Sequence, residues 1–265
     1  MRRIGKFWTA LLVLPAWMAV TVLVGLLTPR EAASQTVLIS EGIAEGIVAA
    51  SVFLLIALSL LRWDRLGFQA PEPPRSALLT WMPALYIAVL LAGAALLGLP
   101  PAGTMAVILV NCLFVGFSEE VMFRGILFRG ALSRMRVVPA AIFTSILFGL
   151  VHTLNAFATG QPAVAMAQAV AAFMSGVLYN AIRIRTQSIY PMMIVHALWD
   201  FALFMIVHAA GAVDETVELT PSNLLLPALM ILPLFTYGLF LLRGMERDFG
   251  WMSEAAPRET VQPAA

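Results

Sequence analysis

The sequence has one cysteine, Cys112, one lysine, Lys6, and few charges of either sign: Asp, Glu, Lys and Arg make up 12% of its 265 residues. A lone cysteine excludes an intrachain disulfide framework and a cysteine-based zinc site, and its place inside an apolar run reads as a small buried hydrophobe. A net charge of +1 leaves no basic field for nucleic acid and no acidic tail. What is abundant is apolar. Hydrophobic residues are 61% of the chain and its mean hydropathy is +0.90, where a soluble domain has roughly 25% charged and about 45–50% apolar residues. The solvent for this chain is lipid. Its positive charge is almost entirely arginine, a bias for which we have no physical account.

Crossing a hydrocarbon core of about 30 Å takes roughly 20 mostly apolar residues in a helix. Eight such runs emerge: Trp8–Leu27, Ile43–Leu61, Leu79–Leu99, Met105–Phe128, Val138–His152, Ala163–Ile182, Ile189–Ala209 and Asn223–Leu242. The expected fold is therefore all-α, a polytopic bundle of about eight spans, the fifth being the shortest. The first run has basic residues before it (Arg2, Arg3, Lys6) and Ala32-Ala33-Ser34 after it, as a secretory signal would. It is longer than the usual apolar region of roughly 7–15 residues, so it reads as a retained helix.

Arginine sets the orientation, because short cytoplasmic loops retain it. The N-terminus and every even-numbered loop carry bases: Arg62, Arg65 and Arg75 in the second, Arg129, Arg134 and Arg136 in the fourth, Arg183 and Arg185 in the sixth. The tail has Arg243, Arg247 and Arg258. The odd loops hold only Arg30, and the seventh has Asp214, Glu215 and Glu218 with no base. Both ends are thus expected in the cytoplasm, and the composition suggests a bacterial inner membrane. Pro71, Pro73 and Pro74 mark residues 67–78 as a stiff linker between a two-helix part, 1–66, and a six-helix catalytic core, 79–248. Residues 249–265 have the composition of a disordered cytoplasmic tail. No internal repeat is found.

A few charges fall inside spans. Glu119, Glu120 and Arg124 lie in the second half of the fourth, His152 ends the fifth, and His196 and Asp200 lie in the middle of the seventh. Each unpaired charge at mid-bilayer costs about 2.5–3.5 kcal/mol, so these groups must face one another or water. Glu120 and Arg124 are four residues apart, as are Phe148 and His152, and His196 and Asp200, so each pair shares a helix stripe. Glu119 lies about 100° around from Glu120 and can point into a cavity while Glu120 holds Arg124. Packing alone can explain a Glu–Arg ion pair or a lone hydrogen-bonded His, but three helices with such groups point to a shared site. Counting about 1.5 Å per residue from the cytoplasmic ends, Glu119 and His196 lie at similar depth and His152 deeper.

A buried Glu beside a neutral His can take a proton from water, and a second His can stabilise the oxyanion formed when that water attacks a carbonyl. The same groups also suit zinc with an open position, with Glu119, His152 and His196 as ligands. The spacing leaves both mechanisms open. Ser118 beside Glu119, and Ser145 or Ser175 in neighbouring helices, are weighed as nucleophiles, though no spacing singles one out.

The motif residues resemble a known family. Glu119-Glu120-Val121-Met122-Phe123-Arg124 matches E-E-x-x-x-R, Phe148-Gly149-Leu150-Val151-His152 matches F-x-x-x-H, and His196-Ala197-Leu198-Trp199-Asp200 matches H-x-x-x-N/D. In this order they resemble the CPBP family of intramembrane proteases, which includes CAAX prenyl endopeptidases and the Abi or bacteriocin-immunity proteins. Arg185-Thr186-Gln187-Ser188-Ile189 is similar to its R-T-G-S-I turn, with Gln187 in place of Gly. The resemblance covers roughly residues 79–203. It implies that Glu119 and His152 activate water, that His196 and Asp200 stabilise the oxyanion or orient each other, and that Glu120 and Arg124 set the architecture. It leaves a zinc cofactor open. The expected partners are the lipid bilayer and a peptide or protein substrate. Two other functions share these residues: a proton-coupled transporter, since Glu and His also relay protons in membranes, and a non-catalytic immunity or scaffold protein.

Overall fold

The computed structural model describes residues 5–27, 39–211 and 220–255, and these segments are helical with no strand among them. Eight long apolar helices follow the expected spans: α1 Lys6–Leu27, α2 Glu45–Leu61, α3 Trp81–Leu97, α4 Ala102–Glu120, α5 Val137–His152, α6 Pro162–Thr186, α7 Tyr190–Ala209 and α8 Pro221–Leu242. Pro162 and Pro191 stand in the first turns of α6 and α7, where a missing N–H costs nothing. Seven of these segments are long and apolar enough to cross a membrane. Helix α5 is the shortest of the eight, as expected, with 16 residues, and α2 has 17, both at or below the low end of the range of roughly 17–25. Beyond His152 the chain turns into a short helix, Asn155–Thr159, and the fifth crossing extends over Val137–Phe157. Leu60, Val89 and Leu96 are exposed on the outer surface, as expected of side chains that face lipid.

Two apolar cores hold the bundle. One joins α5, α6, α7 and α8 through residues such as Val177, Leu178, Trp199 and Leu234. The other joins α1 and α2 to α4 and α5, with Ala10, Trp17 and Leu54 against Val121, Phe123 and Phe148. Trp17 Nε1 also donates to Ser118 Oγ at 2.8 Å. The two-helix part therefore packs directly on the motif-bearing helix rather than standing apart behind the 67–78 linker.

The arginine-rich segments meet at one end of the bundle. Lys6 and Arg129 both pair with Asp64 and Glu254, Arg65 donates to the Trp251 carbonyl, and Arg185 donates to those of Leu241 and Arg243. The N-terminus, the second, fourth and sixth loops and the tail thus share a side, as the alternation of arginine requires. Residues 249–255 belong to this folded end, which corrects the tail boundary drawn at 249: Met252 and Ser253 are buried, and Ser253 Oγ donates to the Met135 carbonyl. Anchoring by Glu254 is the cause. Asp214, Glu215 and Glu218 lie outside the described residues, as do Arg2, Arg3, Arg30, Ala32 to Ser34 and Arg258.

Candidate active site

The site begins with a close approach of α4 and α7. A Cβ at Gly116 would lie 2.8 Å from the Met193 carbonyl oxygen and 3.0 Å from the Ala197 amide nitrogen, so only glycine lets the helices come this near. One turn on, α4 presents Glu119 and Glu120 to His196. From Val121 to Leu127 the helix widens into a π-helical turn, every residue of which is buried, before a last α turn, Phe128–Ala131. Such turns break the α-helical hydrogen-bond register and re-aim side chains, and they recur at functional sites.

Glu120 and Arg124 form the dry side of the cluster, with side chains 0% exposed. Arg124 Nη1 donates to Glu120 Oε1 at 2.9 Å, and its guanidinium carbon lies 4.2 Å from the Phe148 ring centre and 5.1 Å from that of Tyr179. Aromatic faces accept a guanidinium where no second carboxylate is at hand. The same Glu120 Oε1 lies 2.8 Å from His196 Nδ1. Since that oxygen already accepts from Arg124, the contact assigns the Nδ1 proton to His196 as donor. Glu120 therefore holds the imidazole as well as the arginine.

The other imidazole edge is the open side. His196 Nε2 lies 3.6 Å from Glu119 Oε2 and 3.6 Å from Asp200 Oδ2, with Glu119 15% and Asp200 23% exposed. Glu119 Oε2 has no hydrogen-bond partner. Asp200 therefore meets the nitrogen opposite the one fixed by Glu120. Glu120 and Asp200 thus contact His196 from its two nitrogens, Glu120 at the shorter distance.

His152 stands one helical turn beyond Phe148. Its Nδ1 lies 2.8 Å from the Phe148 carbonyl oxygen, which assigns the proton to Nδ1 and leaves Nε2 as a lone-pair acceptor. Phe148 links it to the rest, with ring centres 4.7 Å from His152 and 6.0 Å from His196. No hydrogen bond or ion pair joins His152 to Glu119. The serines are committed to packing: Ser118 accepts from Trp17, Ser145 Oγ donates to the Ala141 carbonyl, and Ser175 Oγ to that of Ala172.

No group of three His, Cys, Asp or Glu side chains among the described residues could hold a metal ion. Both histidines place Nδ1 against an acceptor, Glu120 and the Phe148 carbonyl, which leaves Nε2 as the nitrogen that a metal would take.

Two members of the cluster escape sequence reasoning. Tyr179, buried on α6, packs its ring 5.5 Å from His196 and beside Arg124. Asn180 next to it bridges α5 and α6 by donating to the Ala141 carbonyl, Thr144 Oγ1 and Ser145 Oγ. Their polarity inside an apolar span was the available signal.

Residues 101–202 match the family model for type II CAAX prenyl endopeptidase Rce1-like proteins. The match spans α4 to most of α7 and includes Glu119, Glu120, Arg124, His152, His196 and Asp200. No curated protein and no solved structure matches the chain significantly. The segment that builds this cluster is thus similar to the Rce1-like type II CAAX prenyl endopeptidases.

Proposed function

We propose that the protein is an intramembrane endopeptidase acting on a CAAX-type, membrane-associated peptide through a water activated by Glu119. The observation that carries this reading is Glu119 Oε2, buried without a hydrogen-bond partner and 3.6 Å from an imidazole that Glu120 holds from behind. A water between Glu119 and His196 gives its proton to Glu119, and its oxygen attacks the scissile carbonyl carbon. His152 Nε2 is a second acceptor for that water. A neutral His196 would turn its Nε2 lone pair toward two carboxylates, whereas the imidazolium turns an N–H there. That N–H donates to the oxyanion. The carbon–nitrogen bond then breaks, and protonated Glu119 returns its proton to the leaving amine. Arg124, between Glu120 and two aromatic rings, balances the charge. With the arginine-rich end in the cytoplasm, the substrate is met on the cytoplasmic side of a cell membrane, for which a bacterial inner membrane suits the composition.

The test is hydrolysis by the purified full-length protein in detergent of a prenylated CAAX peptide and of its unprenylated counterpart, with the new terminus located by mass spectrometry. Cleavage of the prenylated peptide is expected. No cleavage of either, together with proton flux in proteoliposomes, would put the transporter in its place. Turnover is expected to survive dialysis against a zinc chelator; loss that added zinc restores would return Glu119, His152 and His196 to the role of ligands.

A further inference from the structure

Away from the cluster, another guanidinium is buried, and among the described residues no carboxylate pairs with it. Arg183, near the C-terminal end of α6, is 1% exposed. Its Nη2 donates to the Arg65 carbonyl at 3.2 Å, while Nε and Nη1 have no partner. A buried charge without a counter-charge is unfavourable. The planar fork of a guanidinium is the side chain best matched to an oxoanion.

The surroundings are shaped around this group. A Cβ at Gly67 would lie 2.5 Å from Arg183 Cζ and Nη2, and Gly67 has φ +96°, so both the contact and the backbone demand glycine. Beside them lies a cavity of about 190 Å³ lined by Arg65, Gly67, Gln69, Arg183 and Gln187, with Trp251 and Met252 as its apolar wall. Arg65 stands over the Trp251 ring at 5.3 Å from its centre and donates to the Trp251 carbonyl at 3.4 Å. That leaves a second cation at the rim. Asp64 reaches Arg65 at 3.9 Å, but its other oxygen serves Arg129 and Lys6. Two guanidinium and two amide side chains with no acid make a donor-rich lining. It lies at the end of the bundle where Lys6, Arg129, Arg185 and Arg243 gather, the level of lipid headgroups.

We propose that this cavity is an oxoanion site that takes a phosphate group, either in the headgroup of an anionic phospholipid or as free phosphate, held by Arg183 with Arg65 at the rim. Occupancy would bind the 62–69 segment more firmly to the turn into α7: the Gly67 carbonyl already accepts from the Ile189 amide at 3.0 Å, and Gln187 caps α6.

The test uses the full chain in uncharged detergent, with thermal unfolding followed in sodium phosphate against sodium chloride of equal ionic strength. A parallel arm uses nanodiscs of phosphatidylglycerol against phosphatidylcholine. The wild type is expected to show a saturable rise in its unfolding midpoint that Arg183→Gln lacks. Arg65→Gln should need about tenfold or more phosphate, the loss of one charge-assisted hydrogen bond. Gln69→Glu, which puts a carboxylate in the lining, should weaken the response as well. If Arg183→Gln does not fold, the other two variants carry the test. A rise with free phosphate identifies a soluble oxoanion, and one with phosphatidylglycerol alone identifies a headgroup. A wild type that responds to neither, or a response equal in all variants, overturns the site.

Discussion

The buried cluster of Glu119, Glu120, Arg124, His196 and Asp200 and the surface cluster of Lys6, Asp64, Arg129 and Glu254 hold the same kinds of groups in opposite surroundings. In the first, Glu120 and Arg124 have no exposed side-chain surface, and each partner is fixed by packed helices. In the second, Arg129 is 4% exposed but its two acids, Asp64 and Glu254, are 64% and 45% exposed, so water can stand in for a partner that either acid loses and Arg129 keeps one acid when the other is removed. Ion pairs in water contribute little because solvent screens them and ordering the side chains costs entropy. A pair inside the membrane contributes geometry: removing one member leaves the other charge with nothing to answer it. The difference separates a device that positions reacting groups from one that ties chain termini to the helix ends.

The strongest way to break this contrast is Arg124→Leu. It leaves Glu120 facing only His196 and should cost about 3–5 kcal/mol of stability, together with activity. Pairing it with Glu120→Gln should recover part of that loss, since the two act as a unit. Unfolding of the single and double variants checks both statements. A single variant as stable as wild type would put the buried cluster in the same class as the surface one.

The surface cluster is expected to respond weakly and to solution conditions. Hydrogen bonding from Arg129 first, then its charge and that of Lys6, holds the Asp64 carboxyl below its ordinary value. Hydrogen bonds from Lys6 and then Arg129 do the same for Glu254. Both values are depressed, so their contribution is complete above the ordinary values of 3.8 and 4.5 and is lost as pH falls through the lowered ones. Glu254→Gln should cost about 1 kcal/mol or less at neutral pH. Its difference from wild type should shrink in high salt and close in acid. Unfolding midpoints across pH and salt measure this; a salt-independent loss as large as that of Arg124→Leu would erase the distinction.

The smallest expected effect lies between the two clusters. Gln187 takes φ +55° as the cap of α6, a left-handed conformation that costs a non-glycine residue roughly 1–2 kcal/mol. Gln187→Gly should stabilise the protein by about 1 kcal/mol or less, because glycine also loses more chain entropy on folding. A fall in the unfolding midpoint would show that the side chain contributes more than the strain it carries.

Sequence reasoning reaches what is local or periodic. Apolar runs mark eight helices, a spacing of four residues pairs Glu120 with Arg124, and alternation of arginine brings the correct loops to one end. It does not reach contacts set by tertiary packing. Nothing in Val121 to Leu127 announces a π turn, because that turn is held by the buried neighbours of α4. Nor does spacing show that Glu120 serves His196, 76 residues away, or that Trp17 of α1 reaches Ser118. Polar composition made residues 249–255 look disordered, whereas Lys6 and Arg129 anchor them through Glu254. The shortness of α5 was legible, but not that its crossing continues past a turn to Phe157, where the apolar count had ended.

The central claim is that Glu119 acts on water while Glu120 holds the imidazole and the arginine. Turnover and unfolding of Glu119→Gln and Glu120→Gln, measured on the same preparations, test it most directly. Glu119→Gln should unfold at the wild-type midpoint and lose about 10²–10⁴-fold in kcat, the scale of general-base catalysis, whereas Glu120→Gln should lose both stability and activity. Wild-type turnover by Glu119→Gln, or equal destabilisation by the two, would contradict the account.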